Sequence, residues 1–139
     1  MKFPFHVKYK VAFRDIDMHG VLHHSNYYYY CEKARIELLE ASGLSYNSVM
    51  DMGLGLVLVE SKLKYFAPVK FDDLLELNLV VDDLGRTSFK ILYSIEVAGK
   101  KVSEGYTHHV CVNLTSGKPV KFPPELVEAM EKYRLKKQQ

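Results

Sequence analysis

Cysteine is scarce, charge is nearly balanced and no hydrophobic run is long, and each shortage excludes a class of protein. Cys31 and Cys111 are the only cysteines among 139 residues and lie far apart. Two thiols make no disulfide scaffold and fit a reducing cytosol. The longest uncharged apolar run, Gly53 to Val59, is far shorter than the ~20 residues a membrane-spanning helix needs. The opening MKFPFHVKYK holds no apolar segment of the secretory kind. Nineteen Lys+Arg against seventeen Asp+Glu give a formal net charge of +2, too weak an excess to argue for nucleic acid. No repeat, low-complexity tract or linker interrupts the chain. The expectation is one cytoplasmic domain over residues 1–139, with no membrane insertion and no nucleic-acid partner.

What is present divides by hydrophobic period. His6 to Phe13 alternates, with Val7, Tyr9, Val11 and Phe13 on one face of a first strand. From Ser25 to Ser42 the spacing becomes helical: Tyr27, Cys31, Ala34, Leu38 and Ala41 form a stripe that Tyr30, Ile36 and Leu39 widen. Ser25 is the expected N-cap and Gly43 the expected C′ residue. Ser45 to Met52 reads as a short helix or turn. After Gly55 the period is two over a long strand, about Leu56 to Phe66. Here Val57, Val59, Ser61, Leu63 and Tyr65 are assigned to one face, and Leu58, Glu60, Lys62 and Lys64 to the other. Three more strands follow, centred on Leu75–Val81, Phe89–Val97 and Val102–Leu114. Hairpin-sized connections at 82–85 and 98–100 join them, with glycine available for positive φ. Pro123-Pro124 opens a last amphipathic helix, and Lys136-Lys137 read as solvated charge. A hairpin-linked antiparallel sheet needs its apolar face covered, and only the early helix is long and apolar enough. The fold class expected is α+β, a curved antiparallel sheet wrapped around one central helix.

The stretch FRDIDMHGVLHHSNYYYYCEKAR, residues 13–35, carries the chemistry. It holds Asp15 and Asp17 a few residues before a helix N-terminus, where unpaired backbone N–H groups and the positive dipole end face outward. An anionic nucleophile or base beside fixed donors suits hydrolysis of an activated acyl group. Asp15 is read as structural. A metal site built from His19, His23, His24 and the aspartates is the weaker reading, because ligands this close in one turn seldom converge without help from elsewhere. Tyr27 to Tyr30 point different ways around a helix, which favours packing over base stacking. Cys31 falls on the apolar stripe as a packed thiol, Glu32 and Arg35 are spaced to pair with each other, and His108 and His109 face opposite sides of a strand.

The string Asp15-Ile-Asp17-Met-His-Gly20-Val-Leu-His-His24-Ser-Asn26-Tyr27, followed by Glu32-Lys-Ala-Arg35, resembles the signature of the 4-hydroxybenzoyl-CoA thioesterase family, and within it the YbgC-type acyl-CoA thioesterases. Val59 to Pro68 with Asp72-Asp73 is similar to that family's second strand, and Gly85-Arg86-Thr87-Ser88-Phe89 to its third hairpin, so the resemblance runs from about residue 5 to about residue 125. One departure is His23-His24, where the YbgC type usually has Tyr-His.

The resemblance implies a hotdog fold, acyl-CoA thioesterase activity and no cofactor, CoA being part of the substrate. It puts the catalytic aspartate on Asp17, acting as nucleophile or as general base, and the oxyanion donor on the backbone N–H of His24. Asn26 and Tyr27 match positions that open the helix at the substrate. Arg86, Lys62 and Lys64, with Ser88, are the candidates to meet the CoA nucleotide, whose phosphates call for cations and donors. It also implies a homodimer or homotetramer with the site between subunits and the long second strands paired edge to edge. The substrate is an acyl thioester of CoA or of acyl carrier protein. Two rivals stand beside it: a hotdog dehydratase or hydratase, and a non-catalytic acyl-CoA or acyl-carrier binding protein.

Overall fold

The computed structural model describes residues 2–136; Lys137 of the basic tail lies outside them. Five strands, β1 (Phe5–Lys10), β2 (Leu54–Tyr65), β3 (Leu74–Asp82), β4 (Ser88–Val97) and β5 (Lys100–Asn113), form one antiparallel sheet in the order β1-β3-β4-β5-β2. Helix α1 (His24–Ser42) lies along its inner face, α2 (Tyr46–Asp51) contacts α1 and β2, and α3 (Pro124–Glu131) contacts α1. This is the wrapped-helix architecture expected from the periodicity. No helix among the described residues is long and apolar enough to cross a membrane.

The core lies between α1 and the inward side chains of the sheet. Leu75, Leu77, Leu79 and Val81 of β3 meet Phe89, Ile91, Tyr93 and Ile95 of β4 there, all buried. On α1 the buried stripe is Tyr27, Tyr30, Cys31, Ala34, Leu38, Leu39 and Ser42. Ala41, expected inside, is exposed and Ser42 takes its place, its hydroxyl donating to the Leu39 carbonyl (2.5 Å). Phe13 leaves the first strand for a 3-10 turn, Phe13–Asp15, and is 76% exposed.

Two further expectations are corrected by backbone geometry. The helix begins one residue earlier than Ser25: His23 is the N-cap, its side chain accepting from the Ser25 N–H. Imidazole does what the serine hydroxyl was expected to do. At the β3–β4 connection the positive φ falls on Asp83 (46°), not on Gly85, an acidic residue that tolerates the left-handed region. Ala98 (φ 52°) and Gly99 (φ 79°) make the β4–β5 hairpin with both central residues left-handed.

The largest correction concerns β2. Its pairing with β5 slips at Val59, a β-bulge between Leu58 and Glu60. One extra residue exchanges the faces of everything beyond it. Leu54, Leu56 and Leu58 pair with Asn113, Cys111 and His109, and past the bulge Ser61, Leu63 and Tyr65 pair with Thr107, Gly105 and Ser103. All six lie on the side of α1. Leu58 therefore shares a face with Ser61, Leu63 and Tyr65, and Val57 sits outside. Simple alternation was correct only after the bulge.

Candidate active site

Residues 15–23 form a loop that the sequence ties down from within. Asp15 is buried: its side chain accepts from the Tyr30 hydroxyl (2.6 Å), and its carbonyl accepts from the His23 N–H (3.1 Å) and from Asn26 Nδ2 (3.0 Å). The Leu22 N–H donates to the Val69 carbonyl (2.7 Å). These bonds clamp the loop to the first turn of α1 and to the segment after β2. Asp15 thus has the structural place expected of it. Asn26 spends its amide on that clamp and is absent from the walls of the cleft described below.

Asp17 sits at the bend. Its N–H donates to the Val21 carbonyl (2.9 Å), its carbonyl accepts from Gly20 (3.0 Å), and Oδ1 accepts from the His19 N–H (2.8 Å) and the Val21 N–H (3.4 Å). Gly20, at φ 80°, supplies the left-handed residue that turns the chain back. One carboxylate oxygen is thereby oriented by the backbone. The other, Oδ2, accepts no hydrogen bond among the described residues.

Beside it opens a cleft of about 440 Å³ whose walls include Asp17, His24 and Tyr27, with Tyr65, Phe66 and Pro68 from the end of β2. The structure thus brings together Asp17, His24 and Tyr27 of the expected set. His24 is the first residue of α1, and its backbone N–H has no acceptor among the described residues, as the first turn of a helix requires. Its ring lies against that of His23, centroids 4.2 Å apart and planes tilted by 32°. Tyr27 is buried and packs edge-on against Tyr65 (4.9 Å), and burial pushes its hydroxyl up to about 12.

Tyr65 and Phe66 are the residues the sequence reading missed as part of this cleft. The Tyr65 hydroxyl donates to the His24 carbonyl (3.4 Å), joining the end of β2 to the mouth of the helix. The Y-F-A-P stop signal marked a strand end, but nothing in it told which element that end would face.

The other candidates lie elsewhere in the protomer. Lys62 and Lys64 pair across from Tyr106 and Glu104, on the sheet face turned away from α1. Arg86 lies in the β3–β4 connection, its carbonyl accepting from Phe122. Ser88 pairs with Val110, which pairs with Val57. That row is roughly 25 Å along β2 from Tyr65, so one protomer does not unite Arg86 and Ser88 with Asp17. Arg35 makes no ion pair with Glu32; it donates to the Tyr93 hydroxyl (3.1 Å). Cys31 is fully buried and its thiol is pushed up to about 12, chiefly by burial. His109 is buried and His108 half-buried, on opposite faces. Among the described residues no three His, Cys, Asp or Glu side chains converge as a metal site.

Residues 11–130 match the model of the thioesterase-like superfamily. A hypothetical protein of Aquifex aeolicus superposes with a TM-score of 0.88 at 35% identity, over 91% of this chain and 99% of that one. The 1,4-dihydroxy-2-naphthoyl-CoA thioesterase from Synechocystis superposes at 0.85 with 27% identity, over 91% and 94%. In sequence, the acyl-CoA thioester hydrolase YbgC of Escherichia coli O6:H1 is 29% identical over 85% of this chain and 89% of its own length.

Proposed function

The chain belongs to the thioesterase-like superfamily, and on that premise we propose that it hydrolyses acyl-CoA thioesters to a free acid and CoA, with Asp17 as nucleophile or general base. The observation that carries this is the half-satisfied carboxylate: loop amides hold Oδ1, Oδ2 accepts no hydrogen bond among the described residues, and Asp17 lines one cleft with His24, whose N–H is unpaired among the described residues. The names of YbgC and of the Synechocystis enzyme, both acting on acyl-CoA, support the substrate class.

Hydrolysis needs an attacking oxygen and a place for the charge that forms on the carbonyl oxygen. Asp17 either attacks the acyl carbon, giving a mixed anhydride that water opens, or takes a proton from the attacking water. In both routes the C–S bond breaks, and the sulfur leaves as thiolate and is protonated. A preorganised amide aimed at the oxyanion contributes roughly 2.7–4 kcal/mol. The first turn of α1 offers such an amide at His24, with the helix dipole behind it.

The functional unit in this reading is at least a dimer. β2 is a twelve-residue edge strand, and an unprotected edge of that length calls for a partner. Antiparallel pairing of two β2 edges carries the Arg86 end of one protomer toward the Asp17 end of the other. The partner's Arg86 and the partner's Ser88 then become the groups within reach of a bound nucleotide.

The test is thiol release from acyl-CoA by Asp17→Asn. Turnover is expected to fall at least about 100-fold with an unchanged circular-dichroism spectrum and little change in CoA affinity. Parental turnover in the variant removes Asp17 from the chemistry. Thioester hydration without thiol release identifies a hydratase instead, and tight binding without turnover a sensor. For Arg86→Ala, KM is expected to rise more for acyl-CoA than for a truncated thioester without the nucleotide.

A further inference from the structure

The N-terminus of a helix leaves four backbone N–H groups without partners inside the helix, and at α1 three of them are accounted for. The His23 N–H donates to the Asp15 carbonyl (3.1 Å) and the Asn26 N–H to the His23 carbonyl (2.9 Å). The Ser25 N–H donates to a side chain, Nδ1 of His23 (3.2 Å). That leaves the His24 N–H, which has no acceptor among the described residues and belongs to a residue that lines the Asp17 cleft. The imidazole of His23 thus closes the amide next to the one the reaction needs open.

An N–H group only donates, so Nδ1 must offer a lone pair. The cap exists for the neutral ring with its proton on Nε2. Asparagine, serine and threonine, which also cap helices, carry no proton that titrates between pH 5 and 8, whereas imidazole ordinarily does. A proton on Nδ1 turns the acceptor into a donor. Nδ1–H can then serve Ser25 Oγ, 2.8 Å away, but the Ser25 N–H loses its partner, and a positive charge stands at the positive end of the helix dipole. The titratable and charged groups around the ring are His24 on α1, Asp15, Asp17, Arg14 and His19 in the preceding turn and loop, and Tyr65 at the end of β2. Asp15 is taken by the Tyr30 hydroxyl with Arg14 at 3.9 Å, and Asp17 by loop amides with His19 at 3.9 Å. Neither carboxylate forms an ion pair with His23 to offset the added charge. The Tyr65 hydroxyl holds the His24 carbonyl (3.4 Å), so His24 is fixed from one side by a phenol and from the other by the cap.

We propose that His23 is a positioning residue for the hydrolysis and the source of its acid sensitivity: the neutral ring holds the first turn of α1 with the His24 N–H free for the oxyanion, and protonation of the ring releases that turn. This rests on the hydrolase reading above. The sign follows from the cap. The competent form is the deprotonated ring, so turnover rises with pH through the range in which imidazole titrates. Carboxylates ordinarily titrate near 4, below that window. A misplacement of about 1 Å in a catalytic group costs on the order of 100-fold, so a loosened first turn is felt in kcat before it is felt in binding.

Thiol release by the wild type, His23→Ala and His23→Asn between about pH 7.5 and 5.5 tests this, with acetyl-, hexanoyl-, dodecanoyl- and benzoyl-CoA as probes. On the probe turned over fastest, wild-type kcat is expected to fall at least about fivefold across the window, with KM changing less than about twofold. His23→Ala, which has no cap at any pH, is expected to start at least about tenfold lower and to lose little more in acid. His23→Asn, whose cap does not titrate, is expected to regain at least about half of the wild-type kcat and to hold it at the acid end. A wild type flat in pH, a His23→Asn limb as steep as the wild type's, or a His23→Ala enzyme that loses melting temperature but no kcat each overturns the proposal. The Ser25 amide, followed by NMR without substrate, is expected to shift with the His23 ring in the wild type and to stay constant in His23→Asn; an indifferent Ser25 amide in the wild type overturns the cap as a switch. Should the wild type release thiol from none of the four probes while Ser25 still follows the ring, the hydrolase reading has failed and the catalytic role falls with it. An active enzyme indifferent to His23 is a failure of this proposal alone.

Discussion

Asp15 is 7% exposed and occupied by the Tyr30 hydroxyl, whereas Asp17, two residues on, lines a cleft and has one oxygen that accepts no hydrogen bond among the described residues. The same functional group is spent on structure at one position and left available at the other. Tyr30→Phe leaves the buried Asp15 carboxylate without its hydroxyl donor, at a cost of about 1–3 kcal/mol; a lower urea midpoint by circular dichroism is the expected result. Asp15's structural role was legible in the acidic loop, but Tyr30 as its partner was not, since fifteen residues of chain separate them. His109 gives a pH prediction with a definite sign. Its folded value, about 3, lies below the ordinary 6.5, so between these values the unfolded chain binds the extra proton. That contribution to stability is complete above pH ~6.5 and is lost as pH falls toward the folded value. Between pH 7 and 5 the melting temperature of the wild type is expected to fall more than that of His109→Gln. Equal slopes would assign the acid sensitivity to other groups. Cys31, with its thiol pushed to about 12 in the core, is expected to resist a thiol reagent until the protein unfolds.

At the scale of elements, β2 and β5 decide most. Gly105 faces β2 so closely that a Cβ there would lie 1.8 Å from the Lys62 carbonyl oxygen and 2.8 Å from its carbon. The obstacle is backbone, which cannot swing aside. Gly105→Ala is expected to destabilise by on the order of 3 kcal/mol, read as a fall in the denaturant midpoint; an unchanged midpoint would mean the two strands part freely. The strands themselves were legible in the alternation of Leu75 to Val81 and Phe89 to Val97. The bulge at Val59 was not, because an extra residue in a uniformly strand-forming run has no composition of its own. The capping role of His23 escaped for a related reason: Ser25 is the commoner cap, and only the path of the loop shows which side chain reaches the Ser25 N–H.

For the whole molecule the consequential fact is that β2 is a twelve-residue edge strand of the protomer, which the proposed dimer pairs with a second copy of itself. Deleting Val59 should turn the inward residues on one side of the bulge to the outer face and spoil that pairing. The expectation is monomer or aggregate in analytical ultracentrifugation, with thiol release reduced at least about tenfold. A stable, active dimer would show that the subunits associate by another surface.

The order and type of elements, the core stripe of α1 and the acidic loop before it follow from the sequence, because period, turn residues and helix-end chemistry act over a few neighbouring positions. Which face Leu58 takes, where Tyr65 ends and which cations lie far from the cleft were decided by tertiary structure. Those depend on pairing between segments forty or more residues apart, where a single inserted residue reverses the outcome and leaves no local trace.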